Sequence, residues 1–283
     1  MSEGQFNCIV ILDAIPEGEL NTARRLRENL EDLAMTLLTR LEVRYIRITV
    51  INDLEKGIET IIDEIKSTAL KPWLHLEGHG LTDESGFLTA NGTTCTWESF
   101  KNSITPINVL AGFNVFLILA TCFGGSFART IVTSDRAPVL GLVGPIEEVK
   151  SGHIEDGFLA FYRAFFEASS LKAALDALNA ASPGVQYYRT TAEQFFYDVW
   201  SNYKKHHCTE KEIGNRIKRI YRMIKAQKPP RLPSIGQIKR NFRSQEQVLF
   251  EKYRNCYFMY DIEKANQERF PVTYEIAEEY ASR

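Results

Sequence analysis

An α/β fold with a mainly parallel central sheet, followed by a helical C-terminal module, is predicted for this 283-residue chain by three observations. Over the first two-thirds, compact β-branched and aliphatic runs alternate with segments of helical periodicity, the pattern of parallel strands joined by crossover helices that cover both sheet faces. Two of the apolar runs end in a reactive residue and glycine, as strands do where they stop at a loop: Pro72-Trp73-Leu74-His75-Leu76-Glu77-Gly78-His79-Gly80 and Val115-Phe116-Leu117-Ile118-Leu119-Ala120-Thr121-Cys122-Phe123-Gly124-Gly125. Past Ser182-Pro183-Gly184 the pattern changes to aromatic-rich helical stretches. This separates an α/β domain, residues 1–182, from a mostly helical, basic module over 183–283.

Residues 7–12 (NCIVIL) form a β-branched apolar run, a buried strand. Residues 17–41 place Leu20, Ala23, Leu26, Leu30, Leu33, Leu37 and Leu41 at helical spacing. A second strand is expected over 43–51, and Asn52-Asp53 sit at the start of a second amphipathic helix reaching Leu70. Residues 72–76 are the third strand. Between 86 and 97, Asn91-Gly92 flanked by short β-prone runs signals a hairpin. A helix over 97–110, interrupted near Pro106, leads to the fourth strand at 115–120. A helix is then expected at 126–133 and a fifth strand at 138–143, closed by Gly144-Pro145. Helices over 154–168 and 171–181 complete the domain. In the module, helices are expected at 192–205 and 209–226, then a Pro-containing loop at 228–233. A mixed stretch at 245–260 and a polar helix after Pro271 follow.

Composition narrows the class. A hydrophobic content of 44% with 25% charged residues is that of a globular protein with a sizeable core. No apolar run approaches the ~18 residues that span a bilayer, and the polar opening at residues 1–6 is unlike a secretory signal, so neither a membrane nor export is expected. Five scattered cysteines (Cys8, Cys95, Cys122, Cys208, Cys256) build neither a disulfide framework nor a CxxC site, which points to a reducing, cytoplasmic setting. The net charge of −2 hides an asymmetry, for residues 202–243 hold thirteen Lys/Arg against two Glu.

Strand ends of an open α/β sheet are where ligands bind, so neighbouring strands would bring His79 and Cys122 to one mouth. The bland reading of Cys122 is a buried thiol, and that of a lone His is structural. Against these stand the strand-end positions and the glycines after each. A thiolate attacks a carbonyl, and bare main-chain N–H groups beside it can hold the developing oxyanion. An imidazole takes the thiol proton and keeps the nucleophile available near pH 7. His75 and Glu77 share the strand face of His79, but His75 lies deeper and lacks the following glycine, so it is assigned to packing or to support of the site.

His79 precedes Cys122 by 43 residues. In caspases a Q-A-C-x-G nucleophile follows its His by about 50 residues. Here the His-Gly is intact and Ala120-Thr121-Cys122-Phe123-Gly124 keeps the C-x-G without the Gln. With Pro138-Val139-Leu140-Gly141-Leu142-Val143-Gly144-Pro145-Ile146 and the helix containing Gly157-Phe158-Leu159-Ala160-Phe161-Tyr162, the chain over residues 5–180 resembles the caspase-like cysteine peptidases of the caspase–gingipain–separase group. It is nearest to their bacterial CHAT type. The resemblance implies a caspase-like α/β/α sandwich and an endopeptidase with a Cys–His dyad and no cofactor or metal. Cys122 would be the nucleophile, His79 the general acid/base, and the N–H groups of Gly80 and Cys122 the oxyanion hole. Asp13, Glu147 and Glu148, at the ends of the first and fifth strands, are the acidic S1 candidates and would imply a basic residue before the scissile bond; Ala120, two residues before the nucleophile, is an apolar candidate and would imply a small apolar one. The implied partner is a specific protein substrate in a bacterial defence or cell-death pathway, with a regulatory protein partner a further expectation.

Competing readings rest on weaker patterns. His75-x-Glu77-x-His79 lacks the helical H-E-x-x-H of a zinc protease. Gly124-Gly125-Ser126-Phe127-Ala128 lacks the second glycine of a G-x-S-x-G elbow, and only His153 follows it within the α/β region. His206-His207-Cys208 has no further ligands nearby in sequence. Residues 202–243, with Tyr203 and Tyr221 among their lysines and arginines, are the one place for nucleic acid or an acidic partner. A solvated helix face is the stronger reading there. The alternative to an enzyme is a non-catalytic caspase-fold scaffold that binds through this region.

Overall fold

The computed structural model describes residues 5–36 and 41–283, so positions 1–4 and the expected helical Leu37 lie outside the described residues. The chain divides into two compact units, one of Met1–Val132 with Ala137–Thr191 and the other of Thr133–Arg136 with Ala192–Arg283.

In the first unit the elements run β1 (Cys8–Asp13), α1 (Thr22–Thr36), β2 (Glu42–Arg47), α2 (Ile51–Thr68) and β3 (Pro72–Glu77). A hairpin of β4 (Gly86–Leu88) and β5 (Thr94–Thr96) follows, then α3 (Trp97–Leu110) and β6 (Phe116–Ala120). A 3₁₀ segment (Gly124–Thr130), β7 (Gly141–Pro145), α4 (Ser151–Ala168), α5 (Leu171–Ala181) and β8 (Tyr187–Thr191) complete it. Six strands form one sheet in the order β2-β1-β3-β6-β7-β8, all neighbours parallel except the antiparallel edge pair β7–β8. This is the expected mainly parallel α/β sheet, consistent with a caspase-like sandwich.

Why β1, β3, β6 and β7 are buried end to end follows from the two covered faces. One face presents Ile9, Ile11, Trp73, Phe116, Ile118 and Val143 to Ala23, Leu26 and Leu30 of α1, Ile154, Phe158, Phe161 and Tyr162 of α4, and Ala174 and Leu178 of α5. The alternate residues Val10, Leu12, Leu74, Leu76, Leu117 and Leu119 are buried on the other face, where α2 lies close enough that a Cβ on its Gly57 would meet Ile46 of β2 at 2.8 Å. The register brings Asp13, Glu77 and Ala120 level at the carboxyl edge of β1, β3 and β6. Loops leaving that edge build the site.

Several boundaries differ from the sequence expectation. Helix α1 begins at Thr22, not residue 17; Pro16 and Gly18, whose φ is +88°, hold a loop that leaves Leu20 exposed. Helix α3 runs unbroken through Pro106, because Pro106 and Asn102 both face solvent and the carbonyl deprived of a partner can meet water. The helix expected at 126–133 is the 3₁₀ segment, and the fifth strand lies at Gly141–Pro145. Strand β8 went unforeseen: YYRTT, four half-buried residues and the exposed Arg189 at a sheet edge, gives no apolar alternation. It moves the boundary from 182/183 to Thr191/Ala192.

The second unit is helical: α6 (Ala192–His207), α7 (Glu210–Ala226), α8 (Ile235–Tyr257), α9 (Asn266–Arg269) and α10 (Tyr274–Ser282). Its aromatic content makes its core, with Phe196, Phe250, Tyr257, Phe258 and Phe270 buried. Helix α8 replaces the mixed stretch; Ser234 and Gln237 cap it reciprocally, a capping box present in the sequence. No helix among the described residues is long and apolar enough to cross a membrane.

Candidate active site

His79 lies two residues past β3 and Cys122 two past β6, and the two strands are adjacent and parallel. Both line one cleft, whose walls include Glu19, Thr22, Glu77, Ala120, Val149 and Ile154. A backbone contact fixes the two loops together: a Cβ on Gly80 would sit 1.8 Å from the Cys122 carbonyl oxygen and 2.7 Å from its carbon. Only glycine permits that approach. The hairpin holds the other side of the His loop, since Leu81 N–H donates to the Gly86 carbonyl (2.9 Å) and Leu88 N–H to that of His79 (2.8 Å). Gly80 and Phe87 between them form a non-hydrogen-bonded antiparallel pair, so the Gly80 N–H turns away from the hairpin. Neither this N–H nor that of Cys122 donates to another group among the described residues.

The Cys loop is bent tightly. Phe123 adopts a left-handed conformation (φ 56°), uncommon for a bulky residue, and its N–H donates to the Glu147 carbonyl at 3.2 Å. The Cys122 sulfur is half-buried and accepts from the Val149 N–H at 3.3 Å, a partner suited to a thiolate. All five cysteines are free. Burial pushes the Cys8 thiol up to about 12 and the Cys95 thiol to about 11, and it raises that of Cys208. These three are held as thiols at neutral pH.

His79 is half-exposed and its Nε2 lies 2.8 Å from Oε2 of Glu19, while Nδ1 has no hydrogen-bond partner among the described residues. Glu19 was missed because the sequence placed it inside a helix. The signal available was positional: it follows β1, whose carboxyl end opens on the same edge. His75 is wholly buried and bonds Glu77 through Nε2 (3.0 Å) and the Tyr162 hydroxyl through Nδ1 (3.1 Å), in keeping with a supporting role.

Among the S1 candidates the structure separates four outcomes. Asp13 is fully buried and does not line the cleft. Its carboxylate accepts from Ile15 N–H (2.9 Å), Asn21 Nδ2 (2.9 Å), the Tyr45 hydroxyl and Arg47 (2.5 Å), so it is spent on the fold. Glu147 accepts the Gln186 N–H at 2.7 Å and ties β7 to β8. Glu148 is exposed and outside the cleft lining, whereas Ala120 does line it. The carboxylates that do line the cleft are those of Glu19 and Glu77, the latter buried at the end of β3.

The rival motifs are used otherwise. Ser126 is buried and donates to Glu84 (2.9 Å), which also pairs with Arg129, and Cys208 donates to Glu246. Among the described residues no three His, Cys, Asp or Glu side chains converge so as to hold a metal ion. No protein-family model matches the chain, and no curated protein matches it in sequence, so the residues of the cleft carry the functional argument by themselves.

Proposed function

We propose that the first unit is a cysteine endopeptidase that works through Cys122 and His79 and acts on a protein substrate. One observation carries the reading: an imidazole and a half-buried thiol line a single cleft at adjacent strand ends, with the Gly80 backbone packed on the Cys122 carbonyl. In this mechanism His79 Nδ1 takes the Cys122 proton while Glu19 holds Nε2 and steadies the imidazolium. The sulfur adds to the scissile carbonyl, and the N–H groups of Gly80 and Cys122 receive the oxyanion. The imidazolium returns its proton to the departing amine, leaving a thioester. Water, deprotonated by the same imidazole, cleaves the thioester and regenerates the thiol. The order and context of the His-Gly and Cys-x-Gly motifs favour the caspase-like class, nearest to the CHAT type, and with it a role in bacterial defence.

Incubation with a peptide library, beside Cys122→Ala and His79→Ala variants, tests this. Each substitution should lower turnover more than about a thousandfold; cleavage that survives both would overturn the assignment.

A further inference from the structure

Between Glu212 and Glu246 the chain carries ten lysines and arginines and no acidic residue. A helix face that is merely solvated mixes both signs. This stretch does not. Two of the ten are used within the second unit: Arg216 lies over the Tyr203 and Phe242 rings and donates to the Tyr203 hydroxyl, and Lys239 pairs with Glu210. Lys218, Arg219, Arg222, Lys225, Lys228 and Arg231 are exposed, and none of them meets a carboxylate among the described residues.

The fold sets this charge beside uncovered apolar side chains. Ile213, Ile217, Ile220 and Ile224 recur at helical spacing along the inward side of α7, which packs against α8. Lys218, Arg222 and Lys225 lie on the outer side with Met223, which is 60% exposed. At Lys228 the backbone turns left-handed (φ 47°) beyond the end of α7, and Pro229, Pro230 and Pro233 stiffen the loop that leads into α8. Leu232 in that loop and Ile235 at the start of α8 are 37% and 55% exposed. Three aliphatic side chains therefore stand bare at the α7–α8 turn, interleaved in sequence with Arg222, Lys225, Lys228 and Arg231.

Clustered cations fit a polyanion, and the apolar side chains choose which one. Single-stranded nucleic acid is held by bases stacked on ring faces. Here Tyr203 and Phe242 carry Arg216, and Tyr221 is half-buried. Duplex nucleic acid presents phosphates to the cations but gives little return for bare aliphatic groups. An anionic bilayer uses both, since its headgroups draw the cations and its interface takes the apolar side chains out of water. We propose that the α7–α8 turn docks this chain on the surface of an anionic phospholipid bilayer, with Met223, Leu232 and Ile235 entering the interface between the arginines and lysines. No helix among the described residues is long and apolar enough to cross a membrane, and attachment at the surface requires none. The inference is independent of the endopeptidase reading, because every residue in it belongs to the second unit.

Co-sedimentation of the full chain with vesicles tests it, one set made of phosphatidylcholine alone and the other of phosphatidylcholine with an equal share of phosphatidylglycerol. Binding is expected to the second set only, and to weaken as salt is raised. Each cation at an anionic surface contributes about fivefold in partitioning, so Arg222→Gln, Lys225→Gln and Arg231→Gln combined should lower it roughly 100-fold. Met223→Ser, Leu232→Ser and Ile235→Ser combined, with every charge kept, should lower it roughly tenfold. All six side chains are exposed, so both variants stay folded, which their urea midpoints check. Lys172→Gln in the first unit is the control for a charge lost elsewhere and should bind as the wild type does. Equal binding to the two vesicle sets, or binding to neither, overturns the proposal. So does binding to phosphatidylglycerol that the serine variant retains in full. Tighter binding of a DNA duplex or single-stranded RNA than of the anionic vesicles, unchanged in the serine variant, assigns the surface to nucleic acid and overturns it as well.

Discussion

Replacing Gly80 by alanine is the sharpest mechanical test of how the site is assembled. The new Cβ would lie 1.8 Å from the Cys122 carbonyl oxygen, and the obstacle is backbone that cannot swing aside as a side chain tip would. Restoring even a 3.0 Å contact requires the His loop and the Cys loop to part by about 1.2 Å. On the other side the hairpin anchors the His loop through Leu81 and Leu88, so the displacement falls on the imidazole–sulfur geometry. A misplacement of about 1 Å in a reacting pair costs on the order of 100-fold in rate, and overpacking costs about 1–3 kcal/mol of stability. The expected result for Gly80→Ala is therefore a folded protein whose kcat falls about 100-fold while KM changes little. Steady-state kinetics on the best library peptide and a urea titration measure the two quantities. Gly152→Ala in α4 is the control, since nothing lies within 4 Å of its Cβ position. Gly80→Ala activity within about threefold of wild type would refute the claim that this backbone contact sets the dyad.

Three further outcomes follow from the geometry. Asp13→Asn should lower the unfolding free energy by about 2–4 kcal/mol in urea, because a buried acceptor of four bonds loses its charge; altered KM with unchanged stability would instead return Asp13 to substrate binding. Native alkylation at pH 7 followed by mass spectrometry should mark Cys122 ahead of Cys8 and Cys95, whose thiols burial holds protonated. Cys8 also makes the fold sensitive to base. Its ordinary value near 9 is raised to about 12 in the folded chain, so its contribution is intact below pH 9 and is lost as the pH climbs toward 12. Cys8→Ala should flatten the fall in melting temperature across that window, and an unchanged slope would contradict the assignment.

Sequence legibility was uneven for physical reasons. Strands buried on both faces announce themselves, as NCIVIL at β1 and FLILA at β6 do. Edge strand β8, half-exposed and polar, did not. Helical spacing from Leu20 onward extended α1 over a loop, because Leu20 fits the period yet faces solvent. That error hid Glu19, the residue His79 pairs with.

The sequence by itself determined the alternation of strands and helices and the two strand-end motifs, and it singled out His79 and Cys122 as candidates over other His and Cys residues. These are local matters, written in runs of adjacent side chains and in the glycines that follow them. Only the tertiary structure decided which carboxylate faces the cleft. Asp13, Glu77, Glu147 and Glu148 are alike as strand-end acids, but register, burial and the presence of Arg47 beside one and not another assign them different tasks. A side chain's charge is known from its letter. Whether that charge is already spent depends on neighbours tens of residues away, as with Arg47 on Asp13.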